Sequence, residues 1–145
     1  MIAAANFRLH LHSAKTTFET LARHISTRDY HAVPALVDSV LFSCARANRI
    51  ARDAQDEIRQ AGVNVDDFLA FMKTINIVRN VTEHWTDVED PRPLKLHTHV
   101  SSDGLIGRVD ETALHVRGPK EILKGPINVY DVYLYVCRTL TEIKS

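Results

Sequence analysis

Apolar residues recur at steps of three and four along most of the chain, which is the spacing of an amphipathic α-helix. In the first segment this stripe consists of Ala3, Phe7, Leu11, Ala14, Phe18, Leu21 and Ile25. The same period returns in three later segments. Together the stripes predict helices at about 2–25, 31–61, 65–86 and 129–143.

The ends of these segments carry residues that helix termini favour. Pro34 falls in the first turn of the second helix, where the missing N–H does no harm. Gly62 follows the end of that helix, as a C-terminal glycine commonly does. Asn64 and Asn128 are expected to cap the third and the last helix through their side-chain oxygens.

The hydrophobic period changes to strict alternation at Leu94–Val100, which is typical of a half-buried strand. Ser102-Asp103-Gly104 predicts a tight turn, and two further short strands are expected at 105–109 and 113–116. Gly118-Pro119 and Gly125-Pro126 are expected to close this region. The sequence therefore predicts one domain over 1–145, a mainly α bundle of four to five helices with a small antiparallel β insertion at about 94–117.

Length and charge restrict the class of protein. A chain of 145 residues is long enough to bury a core without disulfides or metals. Equal numbers of basic and acidic residues, 18 each, argue against a protein that coats DNA through many phosphate contacts. Cys44 and Cys137 sit among apolar residues and are expected to be reduced thiols in the core. No apolar run is long enough for a signal peptide or a membrane span, so we expect a cytoplasmic protein without membrane contact.

The sequence near the end of the third helix has the form Arg-x4-His, reading Arg79-Asn80-Val81-Thr82-Glu83-His84. About 0.7 such matches are expected by chance in this composition, so the pattern alone is weak. A second match, Arg92 to His97, contains a proline and enters a predicted strand, and we set it aside. The first match gains from its context, since it lies late on a helix that follows a long helix.

With this motif on a helical scaffold, the chain resembles the HEPN superfamily of helical domains, found in many prokaryotic toxins and RNA-processing proteins. The resemblance implies a composite active site at a homodimer interface. It also implies RNA cleavage that leaves a 2′,3′-cyclic phosphate and a 5′-hydroxyl. The resemblance further implies a toxin or defence role, with a small nucleotidyltransferase-type antitoxin as a partner.

The residues of the motif suit this chemistry. His84 could remove the 2′-hydroxyl proton or protonate the leaving 5′-oxygen. The Arg79 guanidinium could stabilise charge growing on the phosphoryl oxygens, with Asn80 orienting His84. This route needs no metal or cofactor. Arg79 lies about 100° from Asn80 and about 140° from His84 around the helix axis, so a twofold dimer would assemble the site better than one copy.

Further polar residues are candidates for holding RNA. Asn76 shares a helix face with Asn80 and His84, and Lys73 lies near that face. Arg46 and Arg49 on the long second helix could guide an RNA backbone. The candidate substrate-binding residues are Lys73, Asn76, Arg46 and Arg49.

Three other interpretations remain open. The polar residues around Arg79 could form only a solvated helix face, and the arginines of the second helix could form only a mixed-charge surface with the acids that follow them. If the residues around Arg79 form only a solvated face, the protein would be a non-catalytic helical dimerisation or protein-interaction module. His97, His99 and His115 on neighbouring predicted strands could instead bind a metal ion, although no Cys, Asp or Glu joins them at a clear spacing.

Overall fold

The structure is a computed structural model that describes residues 2–83, 98–100, 106–108 and 114–144, with side chains for residues 2–75 and 114–144. These residues form five helices and five short strands. The helices are α1 (Ile2–Ser26), α2 (Val33–Asp53), α3 (Gln55–Gln60), α4 (Val65–Glu83) and α5 (Val129–Glu142). The strands are β1 (Thr98–Val100), β2 (Ile106–Arg108), β3 (Leu114–Gly118), β4 (Glu121–Lys124) and β5 (Ile127–Asn128). The prediction of a mainly helical fold with a small antiparallel sheet before the last helix is confirmed.

The four long helices form an antiparallel bundle in the order α1, α2, α4, α5. Helix α1 packs against both α2 and α5, and α2 packs against α4. Helix α3 lies at one end of this bundle. The backbone N–H of Ala4, at the start of α1, donates to the Glu57 carboxylate of α3 at 2.5 Å. The backbone N–H of Lys144, just after α5, donates to the Ala61 carbonyl at 2.7 Å.

The core consists of the apolar stripes that the sequence predicts. Phe7 of α1 and Phe68 of α4 meet edge to face, with ring centroids 5.0 Å apart. Each such fully buried side chain contributes about 1.5–3 kcal/mol relative to an exposed one. The largest side chains with almost no exposure are Phe7, Phe68, Leu11, Leu21, Ile58, Met72, Ile75 and Ile122.

The predicted helix caps are present. The Asn64 side-chain oxygen accepts from the backbone N–H of Asp67 at 3.1 Å, and that of Asn128 accepts from Tyr130 at 3.1 Å. Gly62 adopts a φ of +102°, and a Cβ at this position would approach the Glu142 carbonyl oxygen to 2.6 Å. Glycine is therefore required here both by the backbone conformation and by the close approach of the chain after α5.

One predicted helix, 31–61, is wrong as a continuous element. Helix α2 ends at Asp53 and α3 begins at Gln55, with Ala54 at φ −127° and ψ 48° between them. The residues here favour helix locally, so the break has a tertiary cause. It redirects α3 so that Ile58 is fully buried and Glu57 reaches the first turn of α1.

The β region extends further than predicted. Strands β1 and β2 form an antiparallel pair in which Val100 faces Ile106. Strand β3 pairs with β4, and β4 with β5, in a second antiparallel sheet. Gly118-Pro119 and Gly125-Pro126 therefore lie at hairpin turns and do not close the region, and Gly125 has a φ of +56°. Strand β4 escaped prediction because it has only four residues between these two turns.

The three-stranded sheet packs on the bundle through apolar side chains and one buried lysine of β4. Ile122 is fully buried, and Lys124 is only 8% exposed. The ammonium group of Lys124 lies 3.7 Å from the Asp38 carboxylate of α2. A lysine this deeply buried needs such a partner, because an unpaired buried charge costs several kcal/mol. Within the described chain, no helix is both long and apolar enough to cross a membrane.

Candidate functional site

The backbone of α4 carries three of the residues singled out in the sequence. Asn76, Arg79 and Asn80 belong to this helix, which continues to Glu83. Phe68, Met72 and Ile75 are buried and are spaced by three and four residues, and position 79 continues this spacing. Positions 73, 76 and 80 are also spaced by three and four, on a different side of the helix.

The histidine of the motif is not among the described residues. His84 lies outside the described residues, as do the side chains of Asn76, Arg79 and Asn80. The assignment of catalytic roles to Arg79, Asn80 and His84 therefore stays a prediction. Lys73 is described and its side chain is exposed.

The two candidate arginines of α2 lie on an exposed surface that α2 shares with α1. The Arg46 guanidinium lies over the ring of Phe42, 4.4 Å from its centroid, and the Arg49 guanidinium lies 3.9 Å from the Asp53 carboxylate. Across the helix pair, the Ser43 hydroxyl donates to the Ser13 hydroxyl at 3.3 Å. We use the term α1–α2 face for the surface formed by Leu9, His10, Ser13, Phe42, Arg46 and Arg49.

Two apolar residues on the α1–α2 face are exposed. Leu9 is 62% exposed and Phe42 is 37% exposed, whereas the large apolar residues of the stripes are buried. Leu9 and Ser13 are four residues apart and therefore share one side of α1. Arg46 and Arg49 are exposed on this surface, and guanidinium groups can bind an anion.

The packing of α1 on α2 places His10 near Arg46. Its side chain is half-buried. Burial and, second, the nearby Arg46 guanidinium lower the pKa of His10 from its ordinary value of 6.5. His10 is therefore neutral at pH 7 and can accept a hydrogen bond at one ring nitrogen.

Charge is distributed unevenly over the neutral chain. Helices α1 and α2 together carry six Lys and Arg against three Asp and Glu, a net charge of +3. The segment 55–75, which covers α3 and the described side chains of α4, carries two Lys and Arg against four Asp and Glu, a net charge of −2. Helix α5 carries one Arg against two acidic residues, a net charge of −1. The α1–α2 face therefore lies on the basic side of the bundle.

A second arginine–aromatic cluster joins α4 and α5. Phe71 and Tyr135 stack with their centroids 3.9 Å apart and their planes at 4°. The Tyr135 hydroxyl donates to the Asp67 carboxylate at 2.5 Å, and Arg138 lies over the same tyrosine ring, 4.9 Å from its centroid. Burial, followed by the hydrogen bond to Asp67, raises the pKa of Tyr135. We use the term α4–α5 clasp for Asp67, Phe71, Tyr135 and Arg138.

A shallow cavity of about 280 Å³ lies between α1, the β3–β4 turn and the start of α5. Its lining residues are Phe18, Glu19, Ala22, Pro119, Lys120, Tyr130 and Tyr133. Tyr133 stacks on Phe18 at 4.3 Å. Burial, together with hydrogen bonding to Cys137 and Glu19, raises the pKa of Tyr133 to about 12.

Sequence reasoning missed the clasp and the cavity for different reasons. Nothing local in the sequence indicates that Tyr135 would reach across to α4. The cavity needs the β3–β4 turn, which was not predicted. The metal hypothesis gains no support: among the described side chains, which include His115 but not His97 or His99, no group of three potential ligands could hold a metal ion.

Comparison with models of known protein families, with curated proteins and with solved structures found no match.

Proposed function

We propose that this protein is a metal-independent endoribonuclease of the HEPN type that acts as a homodimer. The observation that supports the proposal is the location of the motif. Arg79 and Asn80 lie in the last turns of α4, a long helix of an antiparallel four-helix bundle, and His84 follows the end of that helix directly. This is the combination of scaffold and motif on which the resemblance to HEPN proteins rests.

In the proposed reaction the RNA supplies its own nucleophile. His84 takes the proton of the 2′-hydroxyl, the 2′-oxygen bonds to the phosphorus, and the bond to the 5′-oxygen breaks. The leaving 5′-oxygen takes up a proton from a histidine, which is the His84 of the same or the other protomer. Arg79 stabilises the charge on the phosphoryl oxygens, and Asn80 orients the imidazole. The products are a 2′,3′-cyclic phosphate and a 5′-hydroxyl.

Other residues would hold the substrate. Lys73 and Asn76 lie on the same helix as the motif and would contact phosphates near the cleaved bond. Arg46 and Arg49 are exposed on α2 and would hold a more distant part of the RNA. A toxin or defence role in the cytoplasm, with a nucleotidyltransferase-type antitoxin as partner, belongs to the same proposal.

The experiment is RNA cleavage in EDTA by the wild-type protein and by His84→Ala. We expect cleavage by the wild type to persist in EDTA and to vanish in the variant, with a cyclic phosphate at the new 3′ end. His115→Ala is the matched control, because His115 is an exposed histidine on β3. Circular dichroism would check that both variants are folded. Equal cleavage by wild type and His84→Ala would reject the proposed catalytic role.

A second candidate function is a non-catalytic helical dimerisation or protein-interaction module. The exposure of Leu9 and Phe42 on the α1–α2 face favours it, because apolar residues grouped on a surface are commonly covered by a partner. A Leu9→Lys variant that changes a dimer into a monomer, in a protein that cleaves no RNA, would favour this candidate over the ribonuclease.

A further inference from the structure

The shallow cavity between α1, the β3–β4 turn and the start of α5 has an aromatic wall. We use the term turn cavity for this space, whose walls include Phe18, Glu19, Lys120, Tyr130 and Tyr133. The ring of Tyr133 stacks on that of Phe18, with centroids 4.3 Å apart, and the Tyr130 ring lies 6.4 Å from that of Tyr133. Phe18 is buried, whereas the two tyrosines are only partly buried. The wall therefore offers an apolar surface on which a planar group can pack.

Two charges of opposite sign line the same cavity. Glu19 of α1 and Lys120 of the turn are both exposed, and within the described part of the chain neither has an ionic partner within 4.0 Å. They also do not pair with each other. The Glu19 carboxylate accepts a hydrogen bond from the Tyr133 hydroxyl, a neutral donor, at 3.4 Å. Both groups therefore keep their charge for a ligand that carries the opposite sign.

The turn that carries Lys120 is fixed to the start of α5. Pro119 and Lys120 connect β3 to β4, and the Lys120 carbonyl accepts from the Asn128 side-chain nitrogen at 3.2 Å. The oxygen of the same amide accepts from the backbone N–H of Ile122 at 3.2 Å and from that of Tyr130 at 3.1 Å. One side chain thus joins the turn, β4 and the helix that carries both tyrosines. The cavity is therefore preformed, which lowers the cost of binding.

The size of the turn cavity limits its ligand. Its volume is about 280 Å³, close to the lower end of the range of roughly 300–1,000 Å³ for small-molecule pockets. A single ring with a short charged chain fits this space better than a nucleotide does. The chain must carry both charges to pair with Glu19 and Lys120, because an amine or a carboxylic acid alone would leave one of the two without a partner.

From these observations we propose that the turn cavity binds a free aromatic amino acid. The ring of the ligand packs on Tyr130 and Tyr133, its ammonium group pairs with Glu19, and its carboxylate pairs with Lys120. The site consists of described residues and does not include the Arg79–His84 motif, so it does not depend on the proposed ribonuclease activity.

The test is an NMR titration of the isotope-labelled full chain with four probes. L-Phenylalanine carries the ring and both charges, phenethylamine lacks the carboxylate, phenylpropionate lacks the ammonium group, and L-alanine lacks the ring. We expect L-phenylalanine to bind at least about twofold more tightly than either one-charge analogue, since an exposed ion pair contributes modestly. L-Alanine should bind most weakly. The amide signals of residues 119–120 and 130–133 should shift most.

Three substitutions identify the group that each residue binds. Glu19→Gln should weaken binding of L-phenylalanine and phenethylamine about two- to fivefold, without weakening that of phenylpropionate. Lys120→Gln should weaken binding of L-phenylalanine and phenylpropionate to the same extent, without weakening that of phenethylamine. Tyr130→Leu keeps apolar bulk and should weaken binding of all three ring-bearing probes about two- to tenfold.

Lys144→Gln is the matched control for Lys120→Gln, because Lys144 is an exposed lysine beyond the other end of α5. It should leave the affinity for every probe unchanged, and circular dichroism should show the same helix content in all variants. Three results would overturn the inference. The first is the absence of L-phenylalanine binding at residues 119–133. The second is an affinity for L-phenylalanine no higher than that for both one-charge analogues, and the third is an equal loss in Lys144→Gln and Lys120→Gln.

Discussion

The α1–α2 and α4–α5 sides of the bundle each bring two helices together, but they do so with different side chains. On the α4–α5 side, large aromatic rings fill the space between the helices, and the Arg138 guanidinium is paired with carboxylates. On the α1–α2 side, small residues such as Ser13 and Ser43 let the helices meet, and an aromatic ring and an arginine are left at the surface. The comparison teaches that the first cluster joins two helices through stacked rings and a shared carboxylate, while the second keeps its guanidinium groups exposed.

The largest expected change in stability comes from a substitution in the α4–α5 clasp. Tyr135→Ala should lower the free energy of unfolding by about 3 kcal/mol, because it removes the ring that stacks on Phe71 and contacts Phe68. Phe42→Ala should cost about 1 kcal/mol or less, as a partly exposed residue does. Urea denaturation of both variants measures the difference. Equal losses would mean that Phe42 belongs to the core.

A smaller effect is expected from the carboxylate of the clasp. Asp67→Asn weakens the acceptor of both Tyr135 and Arg138, and should cost about 1 kcal/mol because the group is largely exposed. Asp53→Asn is the matched control, since Asp53 also contacts two arginines, Arg49 and Arg52, at longer distances. We expect no measurable change in the urea midpoint of the control, and a loss there equal to that of Asp67→Asn would contradict the assignment.

The pH dependence should be visible at His10. Its pKa is lowered in the folded state, so below about pH 6.5 the unfolded chain binds more protons at this residue than the folded chain does, and the free energy of unfolding decreases as the pH is lowered. Removing the Arg46 charge with Arg46→Gln should raise the pKa of His10 toward its ordinary value. An NMR titration of the imidazole measures both pKa values. No change in Arg46→Gln would show that Arg46 does not act on this histidine.

The last prediction is a difference in reactivity between the two thiols. Cys44 on α2 is fully buried, and burial raises its pKa to about 12, so it should not react with a thiol reagent in the native protein. Cys137 on α5 is only partly buried. We expect mass spectrometry after brief labelling to find modified Cys137 and unmodified Cys44, and both modified in urea. Early labelling of Cys44 would show that the α1–α2 side opens readily.

Much of the fold could be predicted because its causes are local. The period of the apolar residues specified α1 and α5 almost to the residue, and Asn64, Asn128 and Gly62 marked helix ends through their own chemistry. The break at Ala54 could not be predicted, because the residues around it favour helix and the contact of Glu57 with Ala4 joins positions far apart in the sequence.

The candidate sites also include features that the sequence predicts and features that it does not. The Arg-x4-His motif can be read from spacing, but its catalytic geometry depends on neighbours that spacing does not specify. The arginines of α2 were recognised as candidates, while the interpretation of Arg46 changed with its position over Phe42 and beside His10. The α4–α5 clasp was missed because Asp67 and Tyr135 are far apart in the sequence and meet only in the folded bundle.

The packing of α1 on α2 also has a consequence for the order of folding. These two helices are joined by the short connection 27–32 and share the most extensive contact among the described elements. Contacts between segments close in sequence form fastest, whereas α5 must return to α1 from the other end of the chain. During synthesis the helical hairpin can therefore form first. A growing chain would carry the α1–α2 face before the Arg79–His84 segment has been made.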